Sequence, residues 1–310
     1  MKKLIDVHSH FLTDEYVDAA KAAGIIYPDG MPSWPNWSLD EQLDDMNRRK
    51  IDKAILSISS PGVSFASSSE APELARNVNE FAHSLVKIHP ERLGFFASLP
   101  LPDVLSASKE ATRSIIELGA TGVIVESNAH GQYLGDSELE PLWGALDKLN
   151  TIVFIHPTTP PDYEKTALGR PRPMLEFMFD TTRSVVDLVF SGVLQRYPHI
   201  RFIVPHSGAT LSFLSDRIAM FQGIFKTGGT DWNKAMQNLW FDTAGTPFPN
   251  NLPLLAKVAG FEHLLYGSDS CWTPKIGVEN QLASIDLAKA PEGFETWRDL
   301  MLMNAEKLLK

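Results

Sequence analysis

Eight short, nearly unbroken apolar runs recur along the chain, each followed by an amphipathic stretch, and this repetition limits the fold more than any other feature. The runs are KLIDVHS (3–9), KAILSIS (53–59), LGFFASL (93–99), GVIVES (122–127), TIVFIH (151–156), RFIVPH (201–206), LWFDTA (239–244) and HLLYGSD (263–269). A strand wet on one side alternates apolar and polar residues, whereas an unbroken apolar strand is covered on both faces, as in a parallel sheet. The segments between them, such as LDEQLDDMNRR before the second run and SASKEATRSIIEL before the fourth, have the mixed spacing of helices. Eight such units favour a closed (β/α)8 TIM-type barrel of the α/β class over an open doubly wound sheet. No glycine-rich phosphate fingerprint follows the first run, which leaves a dinucleotide fold without support. Nothing resembling a linker divides the chain, so a single domain over 1–310 is expected.

The polar residues that end these runs carry the chemistry. His8 and His10 close the first, His156 the fifth, His206 the sixth and Asp269 the eighth. In a parallel barrel the C-terminal strand ends form the reactive face. His8 and His10 stand two apart, so on a strand their imidazoles share a side. A lone His-x-His says little. Joined by further histidines and a carboxylate in the same register, it points to a divalent cation such as Zn²⁺, Mn²⁺ or Fe²⁺ with positions left for substrate. Asp242, ending WFDTAG, is placed to orient a ligand histidine. His83 and His89 fall in a helical segment, and His199 and His263 begin strands at the opposite face. His130 follows the fourth strand in a loop on the reactive face and reads as solvated.

Two insertions, 24–38 and 157–173, follow the first and fifth strands and so lie on that face, in position to roof it. Trp34 and Trp37 in the first, with Trp272 beyond Asp269, are candidates for an apolar wall around an aromatic ring. A formal charge of −10 with no basic run argues against nucleic acid or an anionic membrane as partner. No apolar stretch is long enough to span a bilayer, and MKKLIDVHSH enters a strand at once, unlike a signal peptide. Cys271, the single cysteine, excludes an intramolecular disulfide and fits a reducing cytoplasm. Its thiol has no evident cationic partner and is expected to be passive.

With these residues in place, the chain resembles the metal-dependent decarboxylase branch of the amidohydrolase superfamily, which includes aminocarboxymuconate-semialdehyde decarboxylase and the salicylate-type decarboxylases. The resemblance runs from IDVHSHF through DLVFSGVLQRYPHIRFIVPHSGATLSFLSDR to LLYGSD, nearly the whole chain. AILSISSPG, RLGFFASLP, YLGDSELEPLWGAL and VFIHPTTP look most like 6-methylsalicylate decarboxylases. It implies one divalent ion, Zn²⁺ or Mn²⁺, held by His8, His10, His156 and Asp269. His206 would act on the substrate as base or hydrogen-bond partner, and Asp269 would also serve as the acid. The fourth strand ends in Glu126 where two-metal members carry a bridging lysine, which favours one metal. Arg217 matches an arginine that crosses a dimer interface to the neighbouring site, so a homodimer is expected. DGMPSW lacks the arginine that clamps a second carboxylate in aminocarboxymuconate-semialdehyde decarboxylase, favouring a small monocarboxylic aromatic acid with an ortho-hydroxyl. The same five residues would also serve a hydrolase acting through metal-bound water on a lactone or amide. A barrel that binds without turnover is the remaining alternative.

Overall fold

The computed structural model of the protein describes residues 3–310, so the first two residues of the MKKL start lie outside it. Nine strands occur: β1 Leu4–His10, β2 Ile51–Ser57, β3 Leu93–Ser98, β4 Gly122–Glu126, β5 Asn128–Ala129, β6 Gln132–Tyr133, β7 Ile152–His156, β8 Arg201–Val204 and β9 Trp240–Phe241. Seven form one curled parallel sheet in the order β1-β2-β3-β4-β7-β8-β9, and β5 with β6 makes a small antiparallel hairpin. Helices separate the sheet strands, among them Leu39–Arg49, Ala71–Ile88 and Val104–Ile116. Leu39–Arg49 shows why such segments are helical. Ser38 caps its first turn by accepting from the Glu41 N–H, acids open it, and Arg48 and Arg49 close it against the helix dipole.

Two of the expected strands are shorter than the sequence suggests. The seventh is only Trp240–Phe241, and residues 263–269 form no regular ladder. That last segment still closes the barrel, through single bridges of Leu264 to Phe241, Tyr266 to Asp6 and Ser270 to Ser9. The physical reason is local. Asp242 turns its carboxylate back to accept the backbone N–H groups of His206 and Ala244, which bends the chain out of β9. On the eighth segment the N–H groups of Ser268 and Asp269 both donate to the His8 carbonyl, so the pairing slips by one residue.

The unbroken apolar runs have the two-sided burial that such patterning requires. Val7, Ile55, Phe96, Ile124, Phe154, Ile203, Trp240 and Leu265 fill the barrel interior, with Ala305 and Leu308 of the last helix beside them. Leu56, Phe95, Val123, Val153 and Phe202 face the helices. β1 breaks the alternation. Between Asp6 and Ser9 three of its residues oppose two of β2, a bulge. Ile5 and Val7 pack inward below it, and His8 and His10, of opposite parity, turn inward above it. Among the described residues no helix is long and apolar enough to cross a membrane.

Candidate metal centre

Four of the predicted residues converge. One nitrogen from each of His8, His10 and His156 and one Asp269 oxygen lie within 4.8 Å of one another. Asp269 Oδ1 is 3.4 Å from His8 Nε2 and 3.3 Å from His10 Nε2. Backbone strain helps to aim the groups. Asp269 (φ 58°) and His206 (φ 54°) both occupy the left-handed region, which non-glycine residues seldom adopt and which concentrates at functional sites.

The far side of each ring fixes which nitrogen faces the cluster. Wholly buried Asp242 accepts the Nδ1–H of His8 at 2.8 Å, the Ser57 carbonyl accepts from His10 Nδ1 at 3.3 Å, and the Pro157 carbonyl accepts from His156 Nδ1 at 2.7 Å. With Nδ1 engaged on the far side, all three rings turn Nε2 toward the cluster, the atom that would meet a cation. His8 Nε2 and His10 Nε2 are buried and have no hydrogen-bond partner. Buried polar atoms normally find one, and a cation at the centre of the cluster would satisfy both. Gly267 is required here, because a Cβ on it would stand 2.7 Å from His8 Cβ and 2.9 Å from Asp242 Cγ.

The electrostatics agree with a cation site. Burial drives the His10 and His156 pKa values down, the latter far down, with neighbouring histidines adding to the effect, so both rings are neutral donors. Burial acts the same way on His8, but the Asp242 carboxylate with help from Asp269 outweighs it and lifts that pKa to about 10. A field that favours a proton at this position favours a metal cation equally. Burial alone would raise Asp269, yet the surrounding imidazoles of His10, His206 and His8 hold it well below the usual carboxylate range, leaving it ionised.

His206 stands apart from the four. Its Nε2 is 3.8 Å from Asp269 Oδ2, the oxygen that also accepts from the Thr273 hydroxyl at 3.0 Å. His206, His156 and Asp269 open together into a cavity of about 470 Å³ walled by Met31, Met174, Phe177, Met178 and Trp272, with Asp29 and Ser59 as polar members.

The substrate contacts expected from sequence are placed unevenly. Trp272 lines the cavity. Trp34 does not; it packs against Trp272 at 5.7 Å between centroids, buttressing that wall from behind, and its indole N–H donates to the Ile25 carbonyl. Trp37 also lies elsewhere, against Phe11 and Phe81 with its N–H on Gln42. Both pack the loop onto its neighbours, Trp34 on Tyr16 and Trp272 and Trp37 on Phe11 and Phe81, and this corrects the expectation of a direct wall. Arg217 is exposed on the helix Leu211–Phe225 with its guanidinium over Phe221, away from this chain's cavity. Met31, Met174, Phe177 and Met178 escaped the sequence reading, since nothing in a loop or a helix start marks which apolar residue faces a cavity. Four of the five other histidines have partners elsewhere: His83 the Leu118 carbonyl, His130 the Ser64 carbonyl, His199 Asp147, and His263 the Trp240 ring, while His89 ends the helix Ala71–Ile88. Glu126 is buried 3.5 Å from His156 Nδ1, on the side away from the cluster, and burial raises its pKa strongly.

A barrel of this topology with histidines and an aspartate converging on its strand ends defines a metal-hydrolase type of scaffold. The chain belongs to the amidohydrolase family, whose model matches residues 5–310. It is 35% identical over 276 residues to the 6-methylsalicylic acid decarboxylase of Penicillium expansum, covering 86% of this chain and 84% of that protein. A crystal structure of an amidohydrolase II superposes with TM-score 0.92 at 34% identity over 99% of both chains. A 2,6-dihydroxybenzoate decarboxylase in complex with 2,6-dihydroxybenzoate has the same fold, with TM-score 0.86 at 22% identity over 100% of this chain and 99% of that one.

Proposed function

We propose that the protein is a divalent-metal-dependent, non-oxidative decarboxylase of a small ortho-hydroxylated aromatic acid, with 6-methylsalicylate as reference substrate. The observation that carries this reading is the junction of a His8–His10–His156–Asp269 cluster with His206 in a cavity whose wall is methionine and aromatic. One Zn²⁺ or Mn²⁺ ion per chain would be held by those four residues, and when bound it supplies charge that positions and polarises the substrate's carboxylate and ortho-oxygen.

The chain's own residues do the rest. Trp272, Phe177 and the methionines hold the ring and exclude water from its faces. His206 keeps a proton within reach of Asp269 Oδ2, and the two share its delivery to the ring carbon that bears the carboxylate. That carbon gains a C–H bond, its bond to the carboxyl carbon breaks, and the electron pair returns to the ring as carbon dioxide leaves. The Asp269 carboxylate, held ionised by three imidazoles, accepts the transferred proton only transiently.

The protein is proposed to act as a homodimer in a reducing cytoplasm. Phe213, Met220, Ile224 and Phe225 leave an apolar stripe exposed on the helix that carries Arg217, a surface suited to a second copy. The single cysteine, half-buried Cys271, leaves no intramolecular disulfide that would call for an oxidising compartment, and desolvation pushes its thiol pKa up to about 12.

The test is a substrate panel on protein of measured metal content. Salicylates should release carbon dioxide with one metal ion bound per chain. Turnover confined to lactones or amides, preference for a muconate semialdehyde dicarboxylate, or two ions per chain would overturn the assignment.

A further inference from the structure

Beyond the clustered histidines and Asp269, the cavity wall carries one carboxyl, Asp29, among the neutral polar residues Ser59, Thr246, Asn251 and Thr273 and a larger apolar lining. Asp29 belongs to the loop 24–38, is 8% exposed and sits in the left-handed region at φ 51°. The loop holds it there against two costs, an unfavourable backbone and the burial of an acid. The side chain is tied to the other roofing insertion. The Thr159 hydroxyl donates to Asp29 Oδ1 and itself accepts from Arg172 Nε at 3.2 Å. Gly30 lets the guanidinium approach, since a Cβ there would stand 2.6 Å from Arg172 Nη1.

The carboxyl lines the same cavity as His156, His206 and Asp269. Ser59 Oγ is 3.4 Å from His156 Nε2, and Ser60, the next residue, adds a hydrogen bond to Asp29 beside that of Thr159. A ring anchored at the cluster and filling this cavity therefore shares its wall with Asp29. A carboxyl can engage about four hydrogen-bond sites, more than two hydroxyls use. Burial also raises its pKa, so that the group is able to donate as well as accept.

We infer that Asp29 is a specificity-determining residue that reads a second hydroxyl on the substrate ring, so that dihydroxybenzoic acids are preferred over salicylates carrying hydrogen or methyl at the same position. The inference rests on the decarboxylase reading above and narrows its substrate class. Sites built to hydrogen-bond a substrate hydroxyl discriminate strongly against analogues that lack it, because a buried polar group is then left unpaired; a hydrophobic pocket discriminates weakly between isosteres. An apolar wall alone would give the opposite order, with the methyl compound favoured.

The experiment compares kcat/KM for salicylate, 6-methylsalicylate and the 2,3-, 2,4-, 2,5- and 2,6-dihydroxybenzoates in the manganese-loaded wild type, Asp29→Asn and Asp29→Leu. At least one dihydroxy acid should exceed its methyl or hydrogen counterpart by roughly tenfold or more in the wild type. Asp29→Leu should collapse that ratio, and Asp29→Asn, which keeps an acceptor, should preserve part of it. A second readout needs no variant: resorcinol should inhibit the wild type with a lower Ki than 3-methylphenol, although the latter is the more apolar. A wild type that favours 6-methylsalicylate throughout, a ratio that survives in Asp29→Leu, or tighter inhibition by 3-methylphenol would overturn the inference and leave decarboxylation standing. Absence of carbon dioxide release from every hydroxybenzoate would overturn both.

Discussion

Asp242 Oδ2 accepts the Nδ1 proton of His8 across 2.8 Å, and neither side chain is exposed at all. Its other oxygen accepts the backbone N–H groups of His206 and Ala244, so one carboxylate positions the His8 ring and the strand end that carries His206. Asp242→Asn keeps the acceptor oxygen for those backbone groups but removes the charge facing His8. Metal affinity should fall by roughly 10- to 100-fold. Chelator competition measures it directly, and an unchanged Kd would show that the buried charge has no part in holding the cation.

His206→Ala should retain the metal and lose turnover by about 100-fold or more, because the ring meets Asp269 Oδ2 on the cavity side and not the Nε2 cluster. His156→Ala should lose the metal itself. Elemental analysis of both variants beside their rates separates the roles; equal metal loss in the two would make His206 a ligand.

Asp6 gives a stability signature in pH. Burial pushes its pKa from 3.8 to about 6, against hydrogen bonds from Ser268 and the His8 N–H that pull it down. The folded protein therefore prefers the protonated acid, and this contribution is complete below pH 3.8 and lost as the pH rises through 6. Asp6→Asn keeps an acceptor oxygen but cannot ionise. Relative to wild type it should gain stability progressively between pH 4 and 6, by up to roughly 3 kcal/mol at 1.36 kcal/mol per pKa unit, and gain no more above that range. Urea unfolding of the two metal-saturated proteins across these pH values is the check, and a flat difference would refute the shift.

The apolar stripe can be tested apart from the chemistry. A Phe213→Glu, Ile224→Glu double variant should sediment as a monomer where the wild type sediments as a dimer, since both side chains are exposed on one helix. Arg217→Ala should leave the dimer intact and lower turnover if the guanidinium serves the partner's cavity. A wild type that is monomeric at micromolar concentration would remove both expectations.

The convergence of His8, His10, His156 and Asp269 was legible because each ends an apolar run, and a strand end in a parallel barrel has a known destination. The strand count was legible for the same reason, although Asp242 and the shared His8 carbonyl shortened the seventh strand and broke the eighth, effects of side-chain capping and register that periodicity does not encode. The inward turn of His8 and His10 had an additional cause, the bulge between Asp6 and Ser9, which restores the facing that simple alternation from Ile5 would deny. Loops were opaque. Trp34 and Trp37 announce packing but not its direction, and Asp29 reaches the cavity through a left-handed backbone that an Asp-Gly pair permits but does not require.

The apolar filling beneath the ligands makes the barrel a blind well. Val7, Phe96, Phe154 and Leu265 close the interior with at most 1% of their surface exposed, and Leu308 of the last helix packs with them. The floor is thus closed and the mouth shared: acid would enter, and both gas and phenol would leave, past the same methionines. The small, weakly held gas can slip by a ring still seated on the wall, whereas the ring has to lift off before another acid can enter. A ring retained in such a vessel blocks the next acid, so added phenol is expected to slow initial rates more than added carbon dioxide does.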